Sequence, residues 1–291
     1  MIIIDFFQSY TLWFILFSII LALLSGSFLN VIIFRLPVMM EREWQTTVQE
    51  ANNQLNANKP KKPKAEEKFN LATPASRCNS CGHQIRWYEN IPIISWLALR
   101  GRCSQCKTSI SARYPFIEAL SGVLCGIIAW QYGFTATGLA LMFLTCALIA
   151  LTFIDLDHQL LPDSMTLPLL WLGLLLNSFE LFTTLKSAVW GAILGYLALW
   201  SVYWVFKLLT GKEGMGYGDF KLLAALGAWG GAISLPMIIL FSSVAGALLA
   251  GILIALGKHN AANPLPFGPY LAIAGWCAIL WGEPIMSWYL G

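Results

Sequence analysis

The 291-residue sequence is 57% hydrophobic and only 11% charged, with a mean hydropathy of +0.66 and a formal net charge of +3. Soluble domains carry about 25% charged residues, so this composition excludes a soluble enzyme and points to a chain that crosses a bilayer several times. The small positive charge follows from where the loops fall and gives no footing for nucleic-acid binding.

A bilayer crossing takes roughly 20 apolar residues, and "LWFILFSIILALLSGSFLNVIIF" at 12–34 is long enough. Eight spans are predicted, at about 11–34, 115–132, 137–154, 166–183, 187–209, 220–232, 235–256 and 269–289. The sixth, "FKLLAALGAWGGA", is short and glycine-rich. Such a segment tilts or re-enters, which is tolerated only where protein or water covers its backbone. The opening "MIIIDFFQSY" lacks a basic leader region and a small-residue cleavage site, so no cleavable signal peptide is expected.

Of the 18 Lys and Arg, 13 lie between Arg35 and Arg113. Lys207, Lys212, Lys221 and Lys258 fall on the same side in an eight-span count, and Lys186 on the other. The positive-inside bias therefore predicts a cytoplasmic 35–113 loop and outward termini. The expected division is a first transmembrane helix (1–34), a cytoplasmic loop (35–113) and a seven-helix membrane domain (114–291).

Within the loop, 41–69 is polar with a Pro/Lys cluster. It reads as a solvated linker with room for one short helix before Asn58. Then come "CNSCGHQI" (78–85) and "CSQCKTSI" (103–110), a small internal repeat of Cys-x2-Cys, three residues and Ile. Each turn aims two sulfurs at one point, and two such turns make a tetrahedral four-thiolate site from Cys78, Cys81, Cys103 and Cys106. Structural zinc is the favoured occupant over free thiols, an iron–sulfur centre or disulfides. Four thiolates close the coordination sphere, so this metal would hold structure and not catalyse. His83 is expected as a solvated surface histidine, and Cys125, Cys146 and Cys277 as small buried hydrophobes.

Few acids lie near the spans. Asp5, Glu180 and Glu283 fall on the outer side as boundary residues. Glu118, near the start of the second span, either neutralises a neighbour such as Arg113 or orients a site. The third span runs into "FIDLDHQLLPD" (153–163), and the fifth leads into "GMGYGDFK" (214–221). Two carboxylate motifs thus reach the same membrane face from different helices. Close carboxylates share a proton and can divide acid and base roles, which is what an aspartyl protease needs. The glycines beside Asp219 allow unusual backbone angles and close approach of a substrate strand.

These motifs, with "GSFLNVIIFRLP" (26–37), "NIPIISWLALRGRC" (90–103) and "ISARYPFIE" (110–118), resemble the bacterial type IV prepilin leader peptidases and N-methyltransferases. These are integral membrane aspartyl proteases of the Gly-x-Gly-Asp kind. The resemblance runs along nearly the whole chain. It implies Asp155 and Asp219 as the catalytic pair, and Asp157, Asp163, Gly216 and Gly218 as supporting residues. It matches the four cysteines to a cytoplasmic metal-binding domain, and Gly101 to a position linked to methyl transfer. It implies cleavage of a basic leader from prepilins and pseudopilins after a glycine, on the cytoplasmic face of the inner membrane. Methylation of the new amino terminus by S-adenosylmethionine would follow.

The expected fold is therefore an all-α polytopic membrane protein of about eight helices, with a small zinc-ribbon-like domain in the first loop. The substrates would belong to a type IV pilus or a type II secretion system. Two other readings remain open: an ion-coupled transporter using Asp155 and Asp219 as a relay, and a non-catalytic assembly scaffold docked through the zinc domain. The small-residue notch "SGS" (25–27) and Asn30 either admit a substrate helix or pack neighbouring helices.

Overall fold

The computed structural model describes residue 7 and residues 10–55, 69–212, 214–257 and 265–290. Asp5, Lys258 and the 56–68 part of the linker lie outside the described residues. Regular structure among the described residues is helical, with two isolated β-bridges in the cysteine region. The chain divides into two compact units, Met1–Trp130 and Gln131–Gly291.

In the first unit, α1 (Thr11–Leu55) continues well past the expected end at 34 and takes in the first part of the linker. The sequence explains the extension. Residues 39–55 are rich in helix formers, and Gln45 donates to Glu41 across one turn at 2.8 Å. Pro37 removes one backbone donor but does not end the helix. After the cysteine region, which holds the five-residue α2 (Ile94–Ala98), comes α3 (Arg113–Tyr132).

The "SGS" notch packs α1 on α3. A Cβ at Gly26 would run into the Ser121 hydroxyl and lie 2.8 Å from Glu118 Cα. Ser121 Oγ donates to Ala22 O at 2.8 Å, and Asn30 Nδ2 to Tyr114 O at 3.2 Å. Of the two uses open to this stretch, it serves helix packing.

The second unit comprises α4 (Ala136–His158), α5 (Asp163–Asn177), α6 (Leu185–Thr210), α7 (Tyr217–Gly230), α8 (Leu235–Ala255) and α9 (Gly268–Leu290). Helix α7 is its core, with Phe220 and every residue from Leu222 to Trp229 buried. It packs most extensively on α6, then on α5. Gly191 and Gly195 of α6 meet the α7 backbone at Gly227 and Leu223, a small-xxx-small seam that leaves no room for a Cβ. At the far end, the buried Asn177 amide donates to Ala228 O and Trp229 O at 2.8 and 3.0 Å, satisfying carbonyls that the helix end leaves open.

Among the described residues, five helical segments are long and apolar enough to cross a membrane: Thr11–Asn52, Arg113–Tyr132, Ala136–His158, Leu185–Thr210 and Ala232–Ala255. Helices α5 and α7 have 15 and 14 residues and begin three residues before the expected spans at 166 and 220. At 1.5 Å per residue they reach only about 22 Å.

Candidate active site and cysteine centre

Helix α4 ends at Asp155–His158, where Gln159 turns the chain in the left-handed conformation and donates its N–H to Asp155 O at 2.9 Å. The Asp155 side chain is 5% exposed, and its Oδ2 accepts the backbone N–H of Gly268, the first residue of α9, at 2.9 Å. A helix N-terminus suits a carboxylate there, through an unpaired N–H and the helix dipole. The approach is so close that a Cβ at Gly268 would lie 2.7 Å from Asp155 Oδ2.

Asp219 sits in the first turn of α7, with Gly216 as the residue that caps the helix. The glycine-rich stretch is thus the opening of a helix as much as a loop. Asp219 is 7% exposed, lies within electrostatic reach of Asp155, and its Oδ1 has no hydrogen-bond partner among the described residues. Leu161 ties the two motifs together. Its side chain lies 2.7 Å from where a Gly218 Cβ would stand and 3.3 Å from a Gly268 Cβ. Gly218 is therefore a contact requirement, whereas a Cβ at Gly216 would meet nothing nearer than Asp219 Oδ2 at 3.8 Å.

The other two acids of the first motif differ from each other. Asp157 is exposed near the end of α4. Asp163 opens α5 and takes Lys221 Nζ on both oxygens at 2.7 Å. This ion pair joins the first turn of α5 to α7 at a point two residues beyond Asp219. Lys221 and Gly268 were not singled out from the sequence. Lys221 could have been found as the nearest cation to Asp219, and Gly268 from the Gly-Pro that opens α9, since Pro is favoured at a helix's first positions.

The cysteine repeat is a structural repeat too. Cys78 N–H donates to His83 O, Gly82 N–H to Cys78 O and Ile85 N–H to Ser76 O, at 2.8, 2.9 and 2.9 Å. Cys103 N–H donates to Thr108 O, Lys107 N–H to Cys103 O and Ile110 N–H to Gly101 O, at 2.9, 3.1 and 2.7 Å. All four sulfurs lie within 4.8 Å of one another, with Cys78–Cys106 at 3.7 Å and Cys81–Cys103 at 4.0 Å. Tetrahedral zinc with Zn–S of about 2.3 Å puts sulfurs about 3.8 Å apart, so the cluster fits that ion.

Supporting contacts surround the knuckles. His83, expected in solvent, instead pairs Nε2 with Glu89 Oε2 at 3.1 Å, and its side chain is only 13% exposed. Glu89 is held down to about 2, first by the Arg86 backbone N–H and also by Ser104 and His83. Gly101 is buried with φ +65°, and a Cβ there would lie 2.8 Å from Trp96 Cζ2. The Trp96 indole N–H reaches Ile110 O at 3.2 Å. Glu118 accepts the Ile93 N–H at 2.8 Å, a contact that ties the start of α2 to α3.

Comparison with known proteins follows the same two halves. The profile of the Bacterial Peptidase A24 N-terminal domain matches residues 20–132, and that of the Type IV leader peptidase family matches residues 142–251. A protein of Stutzerimonas stutzeri named prepilin leader peptidase/N-methyltransferase is 58% identical over 99% of this chain and 97% of its own length. Proteins of the same name from Pseudomonas aeruginosa and Neisseria gonorrhoeae are 54% and 50% identical, covering 98% and 93% of this chain and 97% and 93% of their own lengths. No solved structure matches the chain significantly. With such identity along its whole length, the chain belongs to the Type IV leader peptidase family.

Proposed function

We propose that this protein removes the leader peptide from type IV prepilins and pseudopilins with the Asp155–Asp219 pair, then methylates the new amino terminus. One observation carries the first half: two buried carboxylates, at the end of α4 and the start of α7, lie within electrostatic reach of each other. The names of the relatives support both halves.

Two such carboxylates hold one proton between them. The Gly268 N–H aimed at Asp155 Oδ2 complements an ionised partner. Asp219 Oδ1, without a donor, suits the partner that carries the proton. Asp155 takes a proton from water as the water oxygen attacks the scissile carbonyl carbon, and Asp219 gives its proton to the carbonyl oxygen. Proton transfer to the amide nitrogen then breaks the C–N bond and releases the leader as a carboxylate and the pilin as a free amine. Asp157, Asp163, Gly216 and Gly218 support this pair, and Asp163 does so through Lys221.

S-adenosylmethionine supplies a sulfonium-activated methyl group for the second reaction. Zinc at Cys78, Cys81, Cys103 and Cys106 holds the loop domain, and Gly101 supports methyl transfer. We place the protein in the inner membrane with eight membrane helices, α5 and α7 included, because α7 is sheathed by its neighbours and need not match the lipid thickness. The 35–113 loop is cytoplasmic and the termini face outward, by the positive-inside bias. The functional division remains 1–34, 35–113 and 114–291.

The test is incubation of the purified full chain in detergent with a prepilin and S-adenosylmethionine, read by mass spectrometry. The expected product is leaderless and one methyl group heavier. Intact prepilin from a folded, zinc-loaded preparation would overturn the proposal, and leave a transporter or scaffold role to be tested.

A further inference from the structure

A cavity of about 570 Å³ opens within the first unit, a size typical of small-molecule sites. One wall is a single face of α1: Ser27, Asn30, Val31, Phe34 and Arg35, at helical spacing i, i+3, i+4, i+7 and i+8. The eight steps of helix from Ser27 to Arg35 make this wall about 12 Å long. Trp96 and Glu118 line it as well.

Its charges are unusual. Glu118 is 7% exposed, and its interactions are with the Ile93 N–H and the Ser27 side chain. Arg35 is also 7% exposed, and its guanidinium donates to three carbonyl oxygens, those of Asn70, Leu71 and Pro74. Neither side chain forms an ion pair among the described residues. The cavity wall thus holds a buried carboxyl and a buried guanidinium, the latter also 5.7 Å from the Phe69 ring centroid, and neither faces an opposite charge among the described residues, so a ligand that supplied one would favour the charged forms. The aromatic part is rigid, because Gly101 beneath and Ile110 O at its N–H seat the Trp96 ring.

We propose that this cavity is the S-adenosylmethionine site. Glu118 faces the donor's sulfonium, the Arg35 end takes its carboxylate, and Trp96 offers a flat face to its purine. An elongated ligand carrying both signs of charge answers both buried charges at once. The proposal rests on the methyl-transfer reading above and goes further by assigning that reaction to this cavity in the first unit, lined by α1, the cysteine region and α3.

Calorimetry on the full chain in lipid nanodiscs tests it, with S-adenosylmethionine and S-adenosylhomocysteine, which lacks the sulfonium charge, as ligands. Glu118→Gln keeps an acceptor for the Ile93 N–H but removes the charge. It should weaken S-adenosylmethionine about tenfold or more, and S-adenosylhomocysteine by much less. Val31→Trp fills the cavity and should weaken both ligands about tenfold or more. Zinc content reports that each variant is folded. If the unmutated protein methylates and both variants bind S-adenosylmethionine within about twofold of it, the donor sits elsewhere and only this proposal falls. If the variants raise the prepilin KM more than they weaken the donor, the cavity takes the leader peptide and the proposal is again overturned. An unmutated protein that neither binds S-adenosylmethionine nor methylates cleaved prepilin would defeat the methyl-transfer reading itself.

Discussion

The backbone N–H of Gly268 reaches Asp155 Oδ2 across 2.9 Å, joining the start of α9 to the last turn of α4. No side chain can be added at 268 without moving that carboxylate, since a Cβ would stand 2.7 Å from the oxygen. Gly268→Ala should therefore act as an active-site variant although alanine is chemically inert. A displacement of about 1 Å at a catalytic group costs on the order of 100-fold. Prepilin cleavage should fall by about that factor, with zinc content and membrane insertion intact. Cleavage near the unmutated rate would show that Asp155 does not depend on this contact.

Asp155→Asn and Asp219→Asn should each abolish cleavage, because either change removes half of a pair that divides acid and base roles. Asparagine nearly preserves size, so the fold should persist. Asp157→Asn should keep measurable activity. Asp163→Asn removes the charge facing Lys221, which lies two residues from Asp219, so it should reduce cleavage without abolishing it. Kinetics on the four variants rank them, and near-normal turnover by either Asp155→Asn or Asp219→Asn would sink the aspartyl mechanism.

That ranking shows what was legible in the sequence and what was not. The acids and cysteines are chemically distinctive residues in an apolar chain, so their types and spacing were enough to pick them out. Their partners are ordinary. Gly268 lies 113 residues from Asp155 and acts through a main-chain N–H that every residue but proline has. Glu118 was visible as a buried acid, but its partner, the Ile93 N–H, is again backbone. The short helix expected before Asn58 is instead a continuation of α1 to Leu55, because polar composition does not mark where a helix stops while local helix propensity favours continuation. The shortness of α7 was legible in its glycine-rich run, but its burial from Leu222 to Trp229 was not, because apolar runs alone do not separate burial in protein from exposure to lipid.

The two knuckles make the same turn with different residues, which gives a clean backbone test. Gly82 has φ +72° and Lys107 has φ +60° at equivalent positions. An L-residue in that region costs roughly 1–2 kcal/mol, offset in part by the entropy that glycine loses on folding. Nothing lies within 4 Å of a Cβ at Gly82, so Gly82→Ala changes backbone preference alone. It should lower the stability of the zinc domain by about 1 kcal/mol, while Lys107→Gly should raise it by a similar or smaller amount. Zinc release against a chelator series would read both. About one zinc per chain is expected in the unmutated protein, and its absence from fresh preparations would remove the metal assignment.

Gly101 offers the sharpest separation of the two reactions. It combines φ +65° with a Trp96 ring 2.8 Å from any added Cβ, so a side chain there must push the indole. Trp96 lines the cavity of the first unit, whereas Asp155 and Asp219 belong to the second. Gly101→Ala should therefore slow methylation about tenfold or more and slow cleavage far less, and Gly101→Leu should widen the split at some cost to the zinc domain. Mass spectrometry distinguishes the products, because methylation adds a methyl group to an already shortened chain. The steric argument makes a second demand. Trp96→Phe removes the ring atoms that meet the new Cβ, so it should restore part of the methylation lost in Gly101→Ala, although the backbone strain at 101 remains. Equal loss of both activities in a zinc-loaded Gly101→Ala protein would argue against separate sites. Failure of Trp96→Phe to recover any methylation would show that Gly101 acts through its backbone angle and not through the indole.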